Sequence, residues 1–84
     1  MAKNRVLKQK QLRRALKSYG VNEDPSRGKG SHTLYYKVID GGRYTYPVPT
    51  TREPVLECYV KGARRKFRLT EQDGVSDDEF FSRT

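Results

Sequence analysis

One stretch decides the fold: Thr33-Leu34-Tyr35-Tyr36-Lys37-Val38-Ile39, followed by the turn sequence Asp40-Gly41-Gly42. Its aromatic and β-branched residues are typical of a strand, and Asp-Gly is a strong hairpin-turn signal. The returning strand is predicted over residues 43 to 49. Pro47 and Pro49 are compatible with it, because alternate residues of an antiparallel strand point their backbone nitrogens away from the partner. The two prolines therefore predict an edge strand.

A helix and a short strand are predicted before this hairpin. Apolar residues at 12, 15, 16 and 19 give residues 7 to 19 the period of an amphipathic helix, and Gly20 is a suitable stop. Leu12, Leu16 and Tyr19 are assigned to the core. Residues 21 to 29 are polar and contain Pro25, so they form at best a short edge strand. The predicted sheet is a meander of three strands in chain order.

The segment after the hairpin fits two structures. Pro54 suits the first turn of a helix. The residues that then recur with helical spacing are Leu56, Val60, Ala63 and Phe67. In the alternative, residues 56 to 60 and 67 to 69 form a second hairpin around Gly62, which destabilises a helix by about 1 kcal/mol relative to alanine. The helix is favoured.

A capping box is predicted at residues 76 to 79. Ser76 is a candidate N-cap with Glu79 three residues later, and a helical turn there would anchor Phe80 and Phe81 on the core. Residues 1 to 84 are then predicted to form one α+β domain. Its element order is α-β-β-β-α, with two helices packed on one face of a three-stranded antiparallel meander.

The charge is strongly basic and unevenly placed. The 84 residues carry 18 Lys and Arg against 10 Asp and Glu, a formal charge of +8. Residues 1 to 20 hold seven basic residues and residues 61 to 68 hold five, with no acid in either segment. This distribution favours an anionic polymer as partner, because neutralising phosphates releases counterions. The simpler alternative is a charged surface that serves solubility alone.

Several classes of function are excluded or disfavoured. Cys58 and His32 are the only residues of their types, so the chain has neither an internal disulfide nor a cluster of Cys and His with metal-ligand spacing. No metal or cofactor is predicted. No apolar run approaches the roughly 18 residues of a membrane span, and the first residues lack the apolar stretch of a signal peptide. The expected compartment is a reducing cytoplasm.

The candidate site is Arg27-Gly28-Lys29-Gly30-Ser31-His32, which leads into the central strand. The glycines predict a tight turn whose backbone N–H groups can point at an anion, although the spacing is not that of a Walker loop. Strict alternation places His32 with Leu34 and Tyr36, at the rim of the core if that face is buried. If Tyr35 and Ile39 face the helices instead, or if the glycine turn twists the start of the strand, His32 lies on an open face. The sequence does not choose between these arrangements.

The element order and the tripeptide Gly30-Ser31-His32 together resemble the HicA family of bacterial toxin ribonucleases. The resemblance covers most of the chain, including the basic first helix that ends at Gly20 and the segment Tyr46-Pro47-Val48-Pro49, where the family has a third strand rich in valine and proline. It implies the fold of double-stranded RNA-binding domains and a cytoplasmic, metal-independent endoribonuclease that cuts messenger RNA through His32. It also implies a HicB-like antitoxin partner. The free toxin is expected to be a monomer.

Histidine suits this chemistry because its ordinary pKa near 6.5 keeps both protonation states available at neutral pH. One histidine cannot act as acid and base in the same step, so a second group is required, and the sequence does not name it. The residues expected to contact RNA are Arg27, Lys29, Gly30, Ser31, Lys37, Arg64 and Arg65. Two alternatives are a non-catalytic RNA-binding module with the same fold and an interaction domain for an acidic protein.

Overall fold

A computed structural model describes residues 6–24 and 32–84. The helices are α1 (Gln9–Ser18), α2 (Glu57–Lys66) and α3 (Asp77–Ser82), with a 3-10 turn at Glu71–Asp73. The strands are β1 (Asn22–Glu23), β2 (His32–Ile39) and β3 (Gly42–Pro49). The predicted α+β class is confirmed, and so is the order of the first helix, three strands and second helix.

The sheet is antiparallel with the order β1-β2-β3, so the predicted meander is confirmed. Ile39 pairs with Gly42, and the two residues between them have positive φ, 51° at Asp40 and 82° at Gly41. This is the backbone of a two-residue hairpin turn whose twist matches that of the strands. β3 is an edge strand and carries both prolines, as predicted.

The core lies between one face of the sheet and the helices. The sheet contributes the buried side chains of Tyr35 and Val48. Buried residues of α1 and α2 meet them, and these are Leu12, Ala15, Leu16, Val60 and Ala63, with Phe67 immediately after α2. The predicted core positions Leu12 and Leu16 are fully buried, and Tyr19 is partly buried against the same cluster. The amphipathic period therefore identified the correct face of α1.

Residues 57 to 66 are a helix, so the second hairpin is wrong. Leu56 is the N-cap residue and is 43% exposed, which corrects its assignment to the helical stripe. Gly62 lies in α2 where it faces Tyr46: an added Cβ would be 1.9 Å from the tyrosine hydroxyl oxygen. The glycine that weakens the helical propensity of this segment therefore permits close contact between α2 and β3.

α3 is a third helix beside the two that were predicted to pack on the sheet. The hydroxyl of Ser76 accepts a hydrogen bond from the backbone N–H of Glu79 at 3.1 Å, which confirms the N-cap. α3 buries Phe80, whose ring stacks on Tyr19 with centroids 6.0 Å apart. Among the described residues, no helix is long and apolar enough to cross a membrane.

Candidate nucleic-acid interface

His32 is the first residue of β2 and lies on the open face of the sheet. Tyr35 is 2% exposed and faces the helices, whereas Val38 is 61% exposed. Because side chains alternate along a strand, His32 shares the face of Val38. The side chain of His32 is exposed, and its cross-strand neighbour is Pro49. Of the two arrangements that the sequence allowed, the structure adopts the one that leaves His32 accessible.

The open face also holds Leu34 and Tyr36, about 7 and 13 Å along β2 from His32 at 3.3 Å per residue. At the far end, the guanidinium of Arg43 lies 4.2 Å from the centroid of the Tyr36 ring and pairs with Asp24 at 2.5 Å. Arg43 therefore packs on the Tyr36 ring while it is paired with Asp24. The open face thus presents a histidine at one end and a cation stacked on an aromatic ring at the other.

A cavity of about 270 Å³ opens beside the cross-strand neighbour of His32. It is lined by Pro49, Thr51, Arg52, Val55, Leu56 and Tyr59. The amide of Gln9 holds this loop by donating to the carbonyl oxygens of Pro49 at 2.8 Å and of Arg52 at 3.0 Å. An exposed guanidinium and a phenol therefore lie in the cavity next to the His32 end of the sheet.

Four of the predicted site residues, Arg27, Lys29, Gly30 and Ser31, lie outside the described residues. Lys37 is half-buried and belongs to the helix-facing side of β2, where its cross-strand neighbour is Tyr44. Its Cε would be 3.6 Å from a Cβ placed on Gly20. The structure therefore places Lys37 on the face opposite His32.

The structure argues against the prediction that Arg64 contacts RNA, because this residue is only 7% exposed. Its guanidinium donates to the carbonyl oxygens of Leu69 at 2.8 Å and Val75 at 3.0 Å, and it pairs with Asp77 at 2.6 Å. It also lies 4.8 Å from the centroid of the Phe80 ring. Arg64 ties the turn after α2 to α3, and its guanidinium is already occupied by these protein partners.

Arg65 is exposed and lines a groove of about 480 Å³ between β3 and α2. We name it the β3–α2 groove, and its lining residues are Tyr44, Tyr46, Cys58, Gly62, Arg65, Lys66 and Arg68. Lys66 and Arg68 approach the Tyr44 ring, with their charged groups 6.0 and 5.6 Å from its centroid. The residues predicted from sequence to contact RNA did not include Tyr44, Lys66 or Arg68. The basic run at residues 61 to 68 was a signal for the last two of these.

Two groups in the β3–α2 groove have shifted pKa values. Burial raises the pKa of the Tyr46 phenol; Cys58 and Tyr59 add to this shift, and Arg65 opposes it. The hydrogen bond to Asp40 raises the pKa of the exposed Arg68 guanidinium, and Tyr44 adds to it.

Within the described part of the chain, no group of three or more His, Cys, Asp or Glu is arranged to hold a metal ion. No protein-family model, no curated protein and no solved structure matches this chain.

Proposed function

We propose that this protein is a metal-independent endoribonuclease that cleaves messenger RNA through His32, as the toxin of a toxin–antitoxin pair. One observation carries the proposal: the only histidine of the chain stands exposed on the open face of the sheet, at the start of β2. The sequence that leads into it is glycine-rich and basic. The net charge of +8 favours a polyanionic substrate.

In the proposed reaction, the imidazole of His32 removes the proton from a ribose 2′-OH. The 2′ oxygen attacks the adjacent phosphorus, and the bond from phosphorus to the 5′ oxygen breaks. The 5′ oxygen takes up a proton from a second group or from water, so the products are a 2′,3′-cyclic phosphate and a 5′-OH. General base catalysis of this kind typically contributes a factor of about 10² to 10⁴.

The cavity that contains Arg52 is the candidate location for RNA flanking the cleaved phosphate, since it adjoins the cross-strand neighbour of His32. A guanidinium there can stabilise the charge that develops on the phosphoryl oxygens.

The proposed antitoxin partner, a HicB-like protein, would inhibit by covering the open face. That face is suited to a protein partner because Val38 is 61% exposed beside the half-buried Leu34 and Tyr36. The observation that tests this part is a neighbouring small reading frame whose product co-purifies with this chain and blocks cleavage. A co-purified product that leaves cleavage unchanged would contradict inhibition by masking.

The experiment for the activity is incubation of the purified protein with messenger RNA in excess EDTA. We expect cleavage to persist, with 5′-OH and 2′,3′-cyclic phosphate ends identified by mass spectrometry. Intact RNA, activity that EDTA abolishes, or products with 5′-phosphate ends would each overturn the proposal.

The second candidate is a non-catalytic RNA-binding module, favoured by the basic, tyrosine-lined β3–α2 groove, which lies away from His32. It would bind RNA by shape and phosphate contacts. It predicts binding without cleavage and no effect of His32→Ala on affinity.

A further inference from the structure

We infer that the β3–α2 groove is a second RNA-binding site, which holds the sugar–phosphate backbone of a single strand away from the catalytic histidine. The inference rests on the proposed binding of polynucleotides by this chain, and does not depend on cleavage. It assigns RNA binding to residues that lie away from His32 and on the helix-facing side of the sheet.

The first support is charge. Three cations, Arg65, Lys66 and Arg68, line the groove and are all exposed. Among the described residues, no carboxylate pairs with Arg65 or Lys66, whereas Arg68 pairs with Asp40 at 3.0 Å. The described lining contains no Asp or Glu. Arg65 and Lys66 thus give the groove positive charge that no described carboxylate neutralises, which suits a site for phosphates.

The second support is the aromatic content of the groove. Tyr44 and Tyr46 are successive residues on the helix-facing side of β3, and both are partly buried, so their rings are held in place. Lys66 and Arg68 lie near Tyr44, so the groove holds cations beside an aromatic ring. Grooves that bind single-stranded nucleic acid combine these two elements: cations follow the backbone while aromatic rings stack on bases.

An acidic protein segment is the other partner that such charge could attract. Protein interfaces are anchored by apolar or aromatic side chains that fill pockets. The described lining of the groove contains no Leu, Ile, Val or Phe to receive such an anchor. A strand of RNA fits the observed lining better, because it needs cations and aromatic faces but no apolar pocket.

The position of the groove relative to His32 gives it a distinct role. Tyr46 is three residues from Pro49, the cross-strand neighbour of His32, a separation of about 10 Å along β3. β3 is the edge of the sheet, so a single strand can pass around it from the groove to the open face. Removing the cations of the groove should therefore raise the Kd for RNA. It should leave the rate of cleavage unchanged when the protein concentration is saturating.

The test is fluorescence anisotropy with a single-stranded 2′-O-methyl RNA, which the proposed mechanism cannot cleave because it lacks the free 2′-OH. The groove variant is Arg65→Ala/Lys66→Ala. The matched control is Lys10→Ala/Lys17→Ala, which removes the same charge from exposed positions on α1. The middle of α1 lies near the opposite edge of the sheet, where Arg13 pairs with Glu23 of β1 at 2.9 Å.

We expect the Kd of the groove variant to rise at least tenfold and that of the control to rise less than threefold. The log–log salt dependence of the groove variant should also become shallower by about 1.4, since each phosphate contact on a single strand contributes about 0.7. Equal losses in the two variants, or no loss in the groove variant, would overturn the inference.

A polyglutamate peptide is the competitor that separates the two partner classes. If the groove variant loses affinity for polyglutamate but keeps wild-type affinity for RNA, the groove is a site for an acidic protein and the inference is wrong. If the ribonuclease proposal is wrong, messenger RNA stays intact in EDTA. The difference in Kd between the groove variant and the control variant is then still observed.

Discussion

Arg64 and Arg65 are neighbours in a basic run, yet their surroundings assign them opposite roles. Arg64 lies on the buried stripe of α2 with Val60, Ala63 and Phe67, whereas Arg65 points into the β3–α2 groove. From the sequence, Arg64 was assigned to RNA contact, although its spacing of four residues from Val60 puts the two on the same side of a helix. Its partners were not predictable, because Asp77 and the carbonyl of Val75 lie more than ten residues away in the chain.

Arg64→Ala should lower the free energy of unfolding by about 3 kcal/mol, because it removes a buried guanidinium and leaves two carbonyl oxygens and Asp77 without their donor. Urea denaturation measures this difference. Arg65→Ala is the neighbouring control and should change stability by less than about 0.5 kcal/mol. Equal effects of the two substitutions would contradict the structural role of Arg64.

The face of His32 shows where prediction from the sequence stopped. Alternation fixed which residues share a side of β2, but both sides of the strand carry an aromatic and an aliphatic residue: Tyr36 and Val38 on one, Tyr35 and Ile39 on the other. Which side is buried depends on packing against helices that are distant in sequence. The structure buries Tyr35, and that choice makes His32 accessible.

At the scale of elements, the contact between α2 and β3 forms the floor of the groove. Gly62 permits it, since a Cβ there would lie 1.9 Å from the hydroxyl oxygen and 2.5 Å from the Cζ of Tyr46. The glycine was interpreted from sequence only as a weakness in a helix. Its role in this contact could not be predicted, because nothing in the local sequence indicates which strand residue approaches it.

Gly62→Ala tests this contact because two effects have opposite signs. Helix propensity alone would stabilise the protein by about 1 kcal/mol. The clash with Tyr46 should prevail and produce a net destabilisation of about 1 to 3 kcal/mol, because the Tyr46 ring packs against the core and must move to admit the methyl group. Chemical denaturation gives the sign. The double variant with Tyr46→Phe should recover part of the loss, and a stabilised single variant would refute the close contact.

The hairpin and α1 were predictable for a local reason. Asp40-Gly41 fixes the turn and therefore the register of β2 with β3, and Gly20 marks the end of the first helix. β1 is only two residues long, Asn22–Glu23, and no local sequence signal sets such a length. It is defined by pairing with β2 and by the Arg13 pair with Glu23.

At the scale of the whole molecule, burial of Tyr35 couples the core to alkaline pH. Burial, reinforced by Glu23 and opposed by Arg13, raises the pKa of Tyr35 to about 12 from its ordinary value of 10.0. The unfolded chain therefore loses this proton first as the pH rises. The resulting stabilisation is complete below pH 10 and is lost between about pH 10 and 12.

Urea unfolding of wild type and Tyr35→Phe at pH 9 and pH 11.5 measures this coupling. Between pH 9 and pH 11.5, the free energy of unfolding should fall by about 2 kcal/mol more for wild type than for the variant, because phenylalanine has no proton to release. The difference between the two proteins should stay constant below pH 9. Parallel losses up to pH 11.5 would show that Tyr35 titrates normally in the folded state.

The open face with His32 and the β3–α2 groove divide the proposed function between chemistry and affinity. The measurement that tests this most directly is the single-turnover cleavage of RNA in EDTA by wild type and His32→Ala, with Kd determined for both proteins. We predict a loss in rate of at least about 100-fold for the variant and a Kd within about threefold of wild type. Cleavage by His32→Ala at the wild-type rate would contradict the account.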